Sequence, residues 1–173
     1  MTDPANLVAG RSTAVHGRRC QFRRLDSDPI DSGPDGPEFD HADPDHAGQL
    51  HHVELYAENL DASVAFRDWL LTALGYEPKN EFDGGRSWIN GPTYVVLVRA
   101  GETGHPFDRG APGLNHLAFH AASCDQVDDL AAGIREREDA TLLYEDRHPY
   151  AGGYYALYCE DPTGIEVEVV GPE

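Results

Sequence analysis

The sequence predicts an α+β fold made of two copies of one βαβββ module, at about residues 50–100 and 113–171 of the 173-residue chain. Two observations lead to this prediction. Each segment begins with a strand pattern, continues with an amphipathic helix and ends with three short strand patterns separated by turn residues. Neither segment is large enough to bury its sheet alone, so the two copies must pair within the chain or across a dimer.

The first module is predicted to open with a strand over residues 50–57. Asp61 is the expected N-cap of the following helix, and Gly75 marks its C-terminal end. The apolar residues that recur at helical spacing, and should face the sheet, are Ala62, Ala65, Phe66, Trp69, Leu70 and Ala73. The three strands that complete the module lie at about residues 76–82, 86–89 and 93–99, with turns at Gly84-Gly85 and Asn90-Gly91.

The second module is predicted to open with a strand over residues 113–121. A helix then starts at Ser123, which forms a capping box with Gln126. The apolar stripe of this helix consists of Val127, Leu130, Ala131 and Ile134. Its three strands are expected near residues 141–145, 154–159 and 165–170, with the turn Asp161-Pro162-Thr163-Gly164 before the last.

The first 48 residues have no helical or strand periodicity; they are basic at the front and acidic and proline-rich behind. Such a segment buries too little apolar surface to offset its ordering entropy. We therefore expect a disordered tail over residues 1–48 and one folded domain over residues 49–173. The N-terminus lacks the apolar core of a secretion signal, and no apolar run approaches the roughly 20 residues that span a membrane. A cytoplasmic location is expected.

The chain is strongly acidic, with 31 acidic and 13 basic residues and a formal net charge of −18. This charge disfavours nucleic acid and membrane surfaces as partners. It also suggests that the source organism is a halophile; the alternative is an acidic chain from an organism with arginine-biased codon usage. Cys20, Cys124 and Cys159 are too scattered for a disulfide framework or a Cys-x-x-Cys metal site.

Three predicted strands each carry a possible metal ligand on the face turned away from the helices. Successive side chains of a strand point to opposite faces, so residues of like parity lie together. The polar residues on this face are His52, Glu54 and Tyr56 in the first strand, His116 and His120 in the strand that opens the second module, and Glu166 and Glu168 in the last. The same alternation places His51 on the helix side and ranks it below His52 as a ligand.

Two imidazoles and one carboxylate are a common ligand set for Fe(II), Mn(II) or Zn(II), and they leave coordination positions open for a substrate. The alternative is that His52 and His116 are strand histidines on a solvated face, and that Glu168 belongs to a surface row of charges. Spacing alone does not decide between these interpretations.

Motifs in both modules carry a resemblance to a known family. They are LHHVEL at residues 50–55, NLDASVAF at 59–66 and LGY at 74–76, followed by GLNHLAF at 113–119 and DPTGIEVE at 161–168. Together they resemble the vicinal oxygen chelate superfamily, which includes glyoxalase I, extradiol dioxygenases, fosfomycin resistance proteins and metal-free bleomycin-binding proteins. The resemblance implies that the two modules form a curved mixed sheet around a cleft, with the helices on the outside.

The resemblance also implies one divalent metal ion, Fe, Mn, Zn or Ni, held by His52, His116 and Glu168. The last strand of the first module offers no carboxylate as a fourth ligand, which favours three-ligand members over a strict glyoxalase I. We expect a metal-dependent enzyme that chelates a small substrate through adjacent oxygens, of isomerase or lyase, dioxygenase or epoxide-opening type. The alternative is a metal-free protein that sequesters a small molecule. A homodimer is expected in either case.

Further candidates surround these ligands. Glu168 is a catalytic candidate as well as a ligand, and Tyr155 and His148 are acid or base candidates in a loop that could cover the cleft, or that is a plain hairpin connection. The substrate-binding candidates are Glu54, Tyr56, Arg86, Trp88, Tyr94 and His120. For Trp88 and Tyr94 the alternative is core packing, and for Arg86 it is a surface ion pair.

Overall fold

Two four-stranded sheets and two helices make up most of the regular structure in this computed structural model, which describes residues 44–102, 106–147 and 155–172. The predicted tail over residues 1–48 lies almost wholly outside these ranges. Its disorder and the domain boundary therefore remain predictions.

The first module consists of β1 (His52–Ala57), α1 (Leu60–Ala73), β2 (Glu77–Phe82), β3 (Gly85–Asn90) and β4 (Thr93–Arg99). Its sheet has the order β1-β4-β3-β2, in which β1 is parallel to β4 and the other neighbours are antiparallel. The helix supplies the crossover that a parallel pair of strands requires. The first and last strands of the module are thereby neighbours, and β1 lies at one edge.

The second module repeats this arrangement with β5 (His116–His120), α2 (Cys124–Arg135), β6 (Thr141–Leu143), β7 (Ala156–Glu160) and β8 (Glu166–Val170). Its sheet order is β5-β8-β7-β6, again with one parallel pair, β5 and β8, and antiparallel neighbours otherwise. The predicted α+β fold of two βαβββ modules with mixed sheets is confirmed.

The helix caps agree with the sequence pattern in one module and not in the other. Ser123 caps α2 as predicted, and its Oγ accepts a hydrogen bond from the Gln126 backbone N–H at 3.1 Å. The predicted cap of α1 at Asp61 is wrong, because Asn59 is the N-cap and its Oδ1 accepts from the Ala62 N–H at 3.2 Å. Both residue types are good caps, and the helix simply begins two residues earlier.

The buried stripe of α1 also differs from the predicted one. Ala65 and Ala73 are exposed, whereas Ser63 and Arg67 are completely buried. Ser63 contacts the second module, where its Oγ lies 3.0 Å from Thr163 Oγ1. Hydrophobic periodicity assigns polar residues to the solvent-exposed face of a helix. It therefore cannot predict a polar residue that is buried against another segment.

The core consists of two clusters, and α1 contributes to both. The first joins Phe66 and Leu70 to the apolar stripe of α2 and the inner faces of β7 and β8. The second joins Leu60 and Leu71 to the first sheet and also takes in Ile165, just before β8. Because α1 packs on both modules, the helix is part of the interface between them. None of the helices in the described ranges is long and apolar enough to cross a membrane.

Candidate metal centre

The side chains of β1 alternate as the sequence predicted. His52, Glu54 and Tyr56 are exposed, whereas Leu55 and Ala57 are buried in the core. In the parallel register His52 lies beside Tyr94 of β4, and Glu54 lies beside Val96. One face of this sheet therefore packs on the helix, and the opposite face carries the polar residues of β1.

His116 and Glu168 come together on the corresponding face of the second sheet. The Nε2 atom of His116 lies 3.1 Å from Oε2 of Glu168. The Glu168 side chain is only 5% exposed, although it points away from Val167 and Val169 of the same strand. A buried carboxylate requires partners, and this one has two.

The second partner of Glu168 is Tyr158, whose hydroxyl donates to Oε1 at 2.6 Å. Tyr158 lies on β7, directly opposite Glu168 in the antiparallel register. His116 is likewise held at its other nitrogen, because Nδ1 lies 2.7 Å from Oδ1 of Asn115. The sequence analysis did not select Tyr158 or Asn115. Asn115 adjoins the predicted ligand in the chain, whereas Tyr158 could be found only from the pairing of β7 with β8.

A second buried carboxylate lies on the same face. Glu166 is opposite His116 in the parallel register and forms an ion pair with Arg109, from the segment that joins the two modules. The Glu166 side chain is 7% exposed and that of Arg109 is 35% exposed. The guanidinium therefore offsets the charge of one of two neighbouring glutamates.

His52 has different surroundings. Its ring stacks on Tyr94, with centroids 4.8 Å apart and an interplanar angle of 7°. Its Nδ1 lies 2.8 Å from Nδ1 of His51, and the ammonium of Lys79 lies over the Tyr94 ring at 4.8 Å. The expectation that His51 faces the helix is wrong. His51 is exposed and precedes β1, so the alternation of the strand does not extend to it.

The structure thus brings two of the three predicted ligands together within the chain. No group of three or more His, Cys, Asp or Glu side chains in the described ranges is placed to hold a metal ion. His52 is therefore not grouped with His116 and Glu168 inside one copy. The assignment of these three residues as ligands remains a prediction.

A family model described as Glyoxalase/Bleomycin resistance protein/Dioxygenase superfamily matches residues 49–169. The chain belongs to this superfamily. The match includes both modules and all three predicted ligands.

The superfamily relatives match this chain over nearly their whole length. The uncharacterized protein YqjT of Bacillus subtilis (strain 168) is 45% identical over 130 residues, which cover 71% of this chain and 98% of that protein. A crystal structure of a provisionally assigned glyoxalase from Bacillus halodurans is 49% identical, with a TM-score of 0.70 over 73% of this chain and 98% of that one. The lactoylglutathione lyase of Agrobacterium tumefaciens is 26% identical, with a TM-score of 0.51 over 71% and 92%.

Two of the predicted substrate-binding residues lie on the helix side of the first sheet. Trp88 is completely buried in the core, and its Nε1 donates to Oδ1 of Asp68 on α1 at 2.6 Å. Arg86 forms ion pairs with Asp68 at 3.3 Å and Glu81 at 3.7 Å. These contacts are of the packing and ion-pair kind that the sequence analysis considered as the alternative.

The remaining candidates are dispersed. Tyr155 donates its hydroxyl hydrogen to Oδ1 of Asp128 on α2 at 2.7 Å, and this hydrogen bond raises the pKa of Tyr155 to about 12. Its phenol therefore stays protonated at neutral pH. His120 is exposed on β5, on the same face as His116. His148 lies outside the described residues, so its predicted role is untested.

Proposed function

We propose that this chain is a subunit of an enzyme that requires a divalent metal ion and acts on a small substrate with two adjacent oxygens. The proposed metal ligands are His116, Glu168 and His52. The observation that carries the proposal is the His116–Glu168 pair. It places one imidazole nitrogen and one carboxylate oxygen 3.1 Å apart on adjacent strands.

This pair fits a metal ion. Two donor atoms that each lie about 2.1 Å from one ion are about 3.0 Å apart in octahedral coordination and about 3.4 Å apart in tetrahedral coordination. The observed separation of 3.1 Å falls between these values. The donor types also suit the ions that the sequence suggests, since imidazole and carboxylate bind Fe, Mn, Zn and Ni.

We propose further that the third ligand, His52, comes from a second copy of the chain. His52 is exposed on β1, which has no strand paired to its outer edge among the described strands. Two large apolar side chains are also exposed here, Leu50 just before β1 at 59% and Tyr56 on β1 at 62%. An open strand edge flanked by exposed apolar groups is typical of a surface that another chain covers. A homodimer would complete the site.

When bound, the metal would act as a Lewis acid that stabilises negative charge on an oxygen of the substrate. The hydroxyl of Tyr158 holds Glu168 in place, and the ion pair of Arg109 with Glu166 limits the negative charge of this face. His120 and Glu54 remain candidates for contacts with the substrate. The strand position of the first module that corresponds to Glu168 is Val96, since His52 and His116 pair with Tyr94 and Glu166. A fourth protein ligand from that position is therefore not proposed, which separates this site from that of a strict glyoxalase I.

The second candidate function is a metal-free protein that binds an aromatic or cationic small molecule. The observation that favours it is that no three metal-binding side chains are grouped within one copy among the described residues. The presence of a carboxylate–imidazole pair with supporting hydrogen bonds favours the enzyme instead.

Metal analysis of the purified protein separates the two functions. We expect about one divalent ion per chain in the wild type, and a large loss of metal in His116→Ala and Glu168→Gln. His46→Ala is the matched control. His46 lies outside both sheets, so this variant should retain the metal. Absence of bound metal in the wild type after reconstitution with Fe, Mn, Zn and Ni would leave the binding protein as the better interpretation.

Mixing two inactive variants tests whether the site is shared between copies. Neither His52→Ala nor His116→Ala should bind metal alone. A mixed dimer would have one intact site of two, made of His52 from one chain and the His116–Glu168 pair from the other, so about half of the metal should return. Recovery of no metal in a mixed dimer, confirmed by differently tagged chains, would place the site within one chain. A monomeric mass in light scattering would exclude the shared site altogether.

A further inference from the structure

Tyr144 adopts a backbone conformation that bulky residues rarely occupy. Its φ angle is 53°, and among the residues that the structure describes it is the one non-glycine residue with a positive φ. In this left-handed region the Cβ atom lies too close to the following carbonyl oxygen, so bulky residues avoid it. Strain of this kind persists only where the rest of the fold maintains it, and it is concentrated at functional sites.

The ring of Tyr144 lies on the face of the second sheet that carries the proposed metal ligands. Tyr144 directly follows β6, in which Leu142 packs against the core and Leu143 pairs with Tyr158 of β7. Continued alternation of side chains would return Tyr144 to the core side, the side of Leu142. Instead, its ring lies edge-on against the Tyr158 ring, with centroids 5.6 Å apart and an interplanar angle of 79°. The positive φ thus interrupts the alternation of the strand.

Tyr158 connects Tyr144 to the His116–Glu168 pair. The Tyr158 hydroxyl donates to Oε1 of Glu168 at 2.6 Å. The His116 ring lies against the Tyr158 ring, with centroids 6.2 Å apart and an interplanar angle of 77°. Tyr144 and His116 are therefore neighbours of the same phenol ring, and a substituted small molecule is long enough to reach from one to the other.

The placement of Tyr144 does little to stabilise the fold. Tyr144 remains 40% exposed, whereas the core side of β6 would have buried it with Leu142. The backbone conformation and the incomplete burial are both unfavourable for folding, and the edge-on contact with Tyr158 is the gain that offsets them. Aromatic side chains that stay accessible beside a few polar groups are typical of the apolar wall of a small-molecule site.

We propose that Tyr144 contacts the substrate and gives the site a preference for compounds with a flat aromatic group next to the two oxygens that the metal chelates. The inference rests on the proposed function, because the metal defines where those oxygens bind. An edge-on or offset contact between rings would supply the selectivity. The hydroxyl of Tyr144 is not required for such a contact, so phenylalanine should be able to replace tyrosine.

Two hydroxamates that differ in one substituent provide the probes. Benzohydroxamate and acetohydroxamate both chelate a metal ion through two adjacent oxygens, and they differ only in having a phenyl or a methyl group. Their dissociation constants are measured by isothermal titration calorimetry on the Zn²⁺-loaded protein. We expect the wild type to bind benzohydroxamate about 10-fold more tightly than acetohydroxamate, since an aromatic contact contributes up to about one order of magnitude in affinity.

Three variants assign this preference to Tyr144. Tyr144→Phe should keep it, Tyr144→Ala should reduce it to about 2-fold or less, and the affinity for acetohydroxamate should stay within about 2-fold of the wild type in both. Glu145→Ala is the matched control, since it removes the neighbouring exposed side chain and should leave the preference unchanged. Equal affinities of the wild type for the two hydroxamates, or a preference retained in Tyr144→Ala, would overturn the proposal while the metal site stands.

Urea unfolding separates a loss of binding from a loss of fold. Glycine adopts a positive φ without strain and alanine does not, so the unfolding constant of Tyr144→Gly should be about 5-fold smaller than that of Tyr144→Ala. Both variants should lose the aromatic preference to the same extent. Equal unfolding constants would show that the backbone is not strained at this position and would contradict the proposal.

Failure of the proposed function would give a different result. If the wild type binds no metal, benzohydroxamate is titrated into the metal-free protein. Binding that is lost in Tyr144→Ala and retained in Tyr144→Phe would then support the contact with Tyr144 without the metal. Absence of binding would overturn the contact as well.

Discussion

Two glutamates that neighbour each other on one face of β8, Glu168 and Glu166, are nearly inaccessible to solvent, with 4% and 5% of the whole residue exposed. Burying a carboxylate is costly unless charged or hydrogen-bonding partners compensate it. Glu168 has Tyr158 and His116, whereas Glu166 has Arg109. Burial of both carboxylates is therefore compensated by partners that the fold supplies, which is compatible with the proposed metal site at Glu168.

Burial has a simple chemical consequence at Cys159. The thiol is completely buried, and this burial raises its pKa to about 12. At pH 8 the group is therefore a protonated thiol, and the thiolate is the form that reacts. We expect iodoacetamide to leave Cys159 unmodified in the folded protein and to modify it fully in urea, as measured by peptide mass spectrometry. Rapid labelling of Cys159 under native conditions would contradict the buried position of β7.

At the level of elements, α1 connects the modules through a fully buried ion pair. Arg67 donates from Nη2 to Oδ2 of Asp161 at 2.5 Å, and both side chains have zero exposure. Asp161 also accepts from the backbone N–H groups of Thr163 and Ile165, at 2.9 Å each. One carboxylate thus both organises the turn before β8 and compensates the charge of a helix residue from the other module.

Breaking this ion pair should be strongly destabilising. Asp161→Asn can still accept hydrogen bonds in the turn but leaves the guanidinium of Arg67 buried without a counter-charge, which costs about 3–5 kcal/mol. The measurement is urea unfolding followed by circular dichroism. The control is Arg135→Ala, which removes an exposed ion pair with Glu145 and should cost about 0–1 kcal/mol. Equal losses in both variants would show that the buried pair has no special role.

The contact between the two helices is close at Gly133 of α2. A Cβ atom at this position would lie 2.7 Å from Cζ2 of Trp69 on α1. Alanine favours a helix over glycine by about 1 kcal/mol, but overpacking costs about 1–3 kcal/mol. We therefore expect Gly133→Ala to destabilise the protein by about 1 kcal/mol in thermal or urea unfolding. In a Trp69→Leu background the same substitution should become neutral or stabilising, and a loss of similar size in both backgrounds would exclude the steric explanation.

For the whole molecule, the net charge of −18 leads to a prediction about salt. Repulsion among carboxylates opposes the compact state, and salt screens it over a Debye length of about 10 Å at 0.1 M. If the halophile hypothesis is correct, the melting temperature should rise by about 3–5 °C between about 0.05 M and 1 M NaCl. The rise should be smaller at about pH 4, where many carboxylates are protonated. Full folding and an unchanged melting temperature at low salt would count against the hypothesis.

The sequence by itself determined the repeat, the type of each element and the face of each strand on which His52, His116 and Glu168 lie. It could do so because side-chain direction in a strand depends only on local backbone geometry. Local patterns were less reliable where a residue acts outside its own element. The burial of Arg67 depends on its ion pair with Asp161, which belongs to the other module. The alternation of side chains along β1 does not apply to His51, because the strand begins one residue later.

Only the tertiary structure decided which of these residues meet. The contacts of Glu168 with His116 and Tyr158 depend on the pairing of β8 with β5 and β7, which joins segments separated in the chain. Among the described residues, His52 is not grouped with this pair within one copy. The hydrophobic pattern of a strand restricts its register to those that bury its apolar face, but it does not identify the strand with which it pairs.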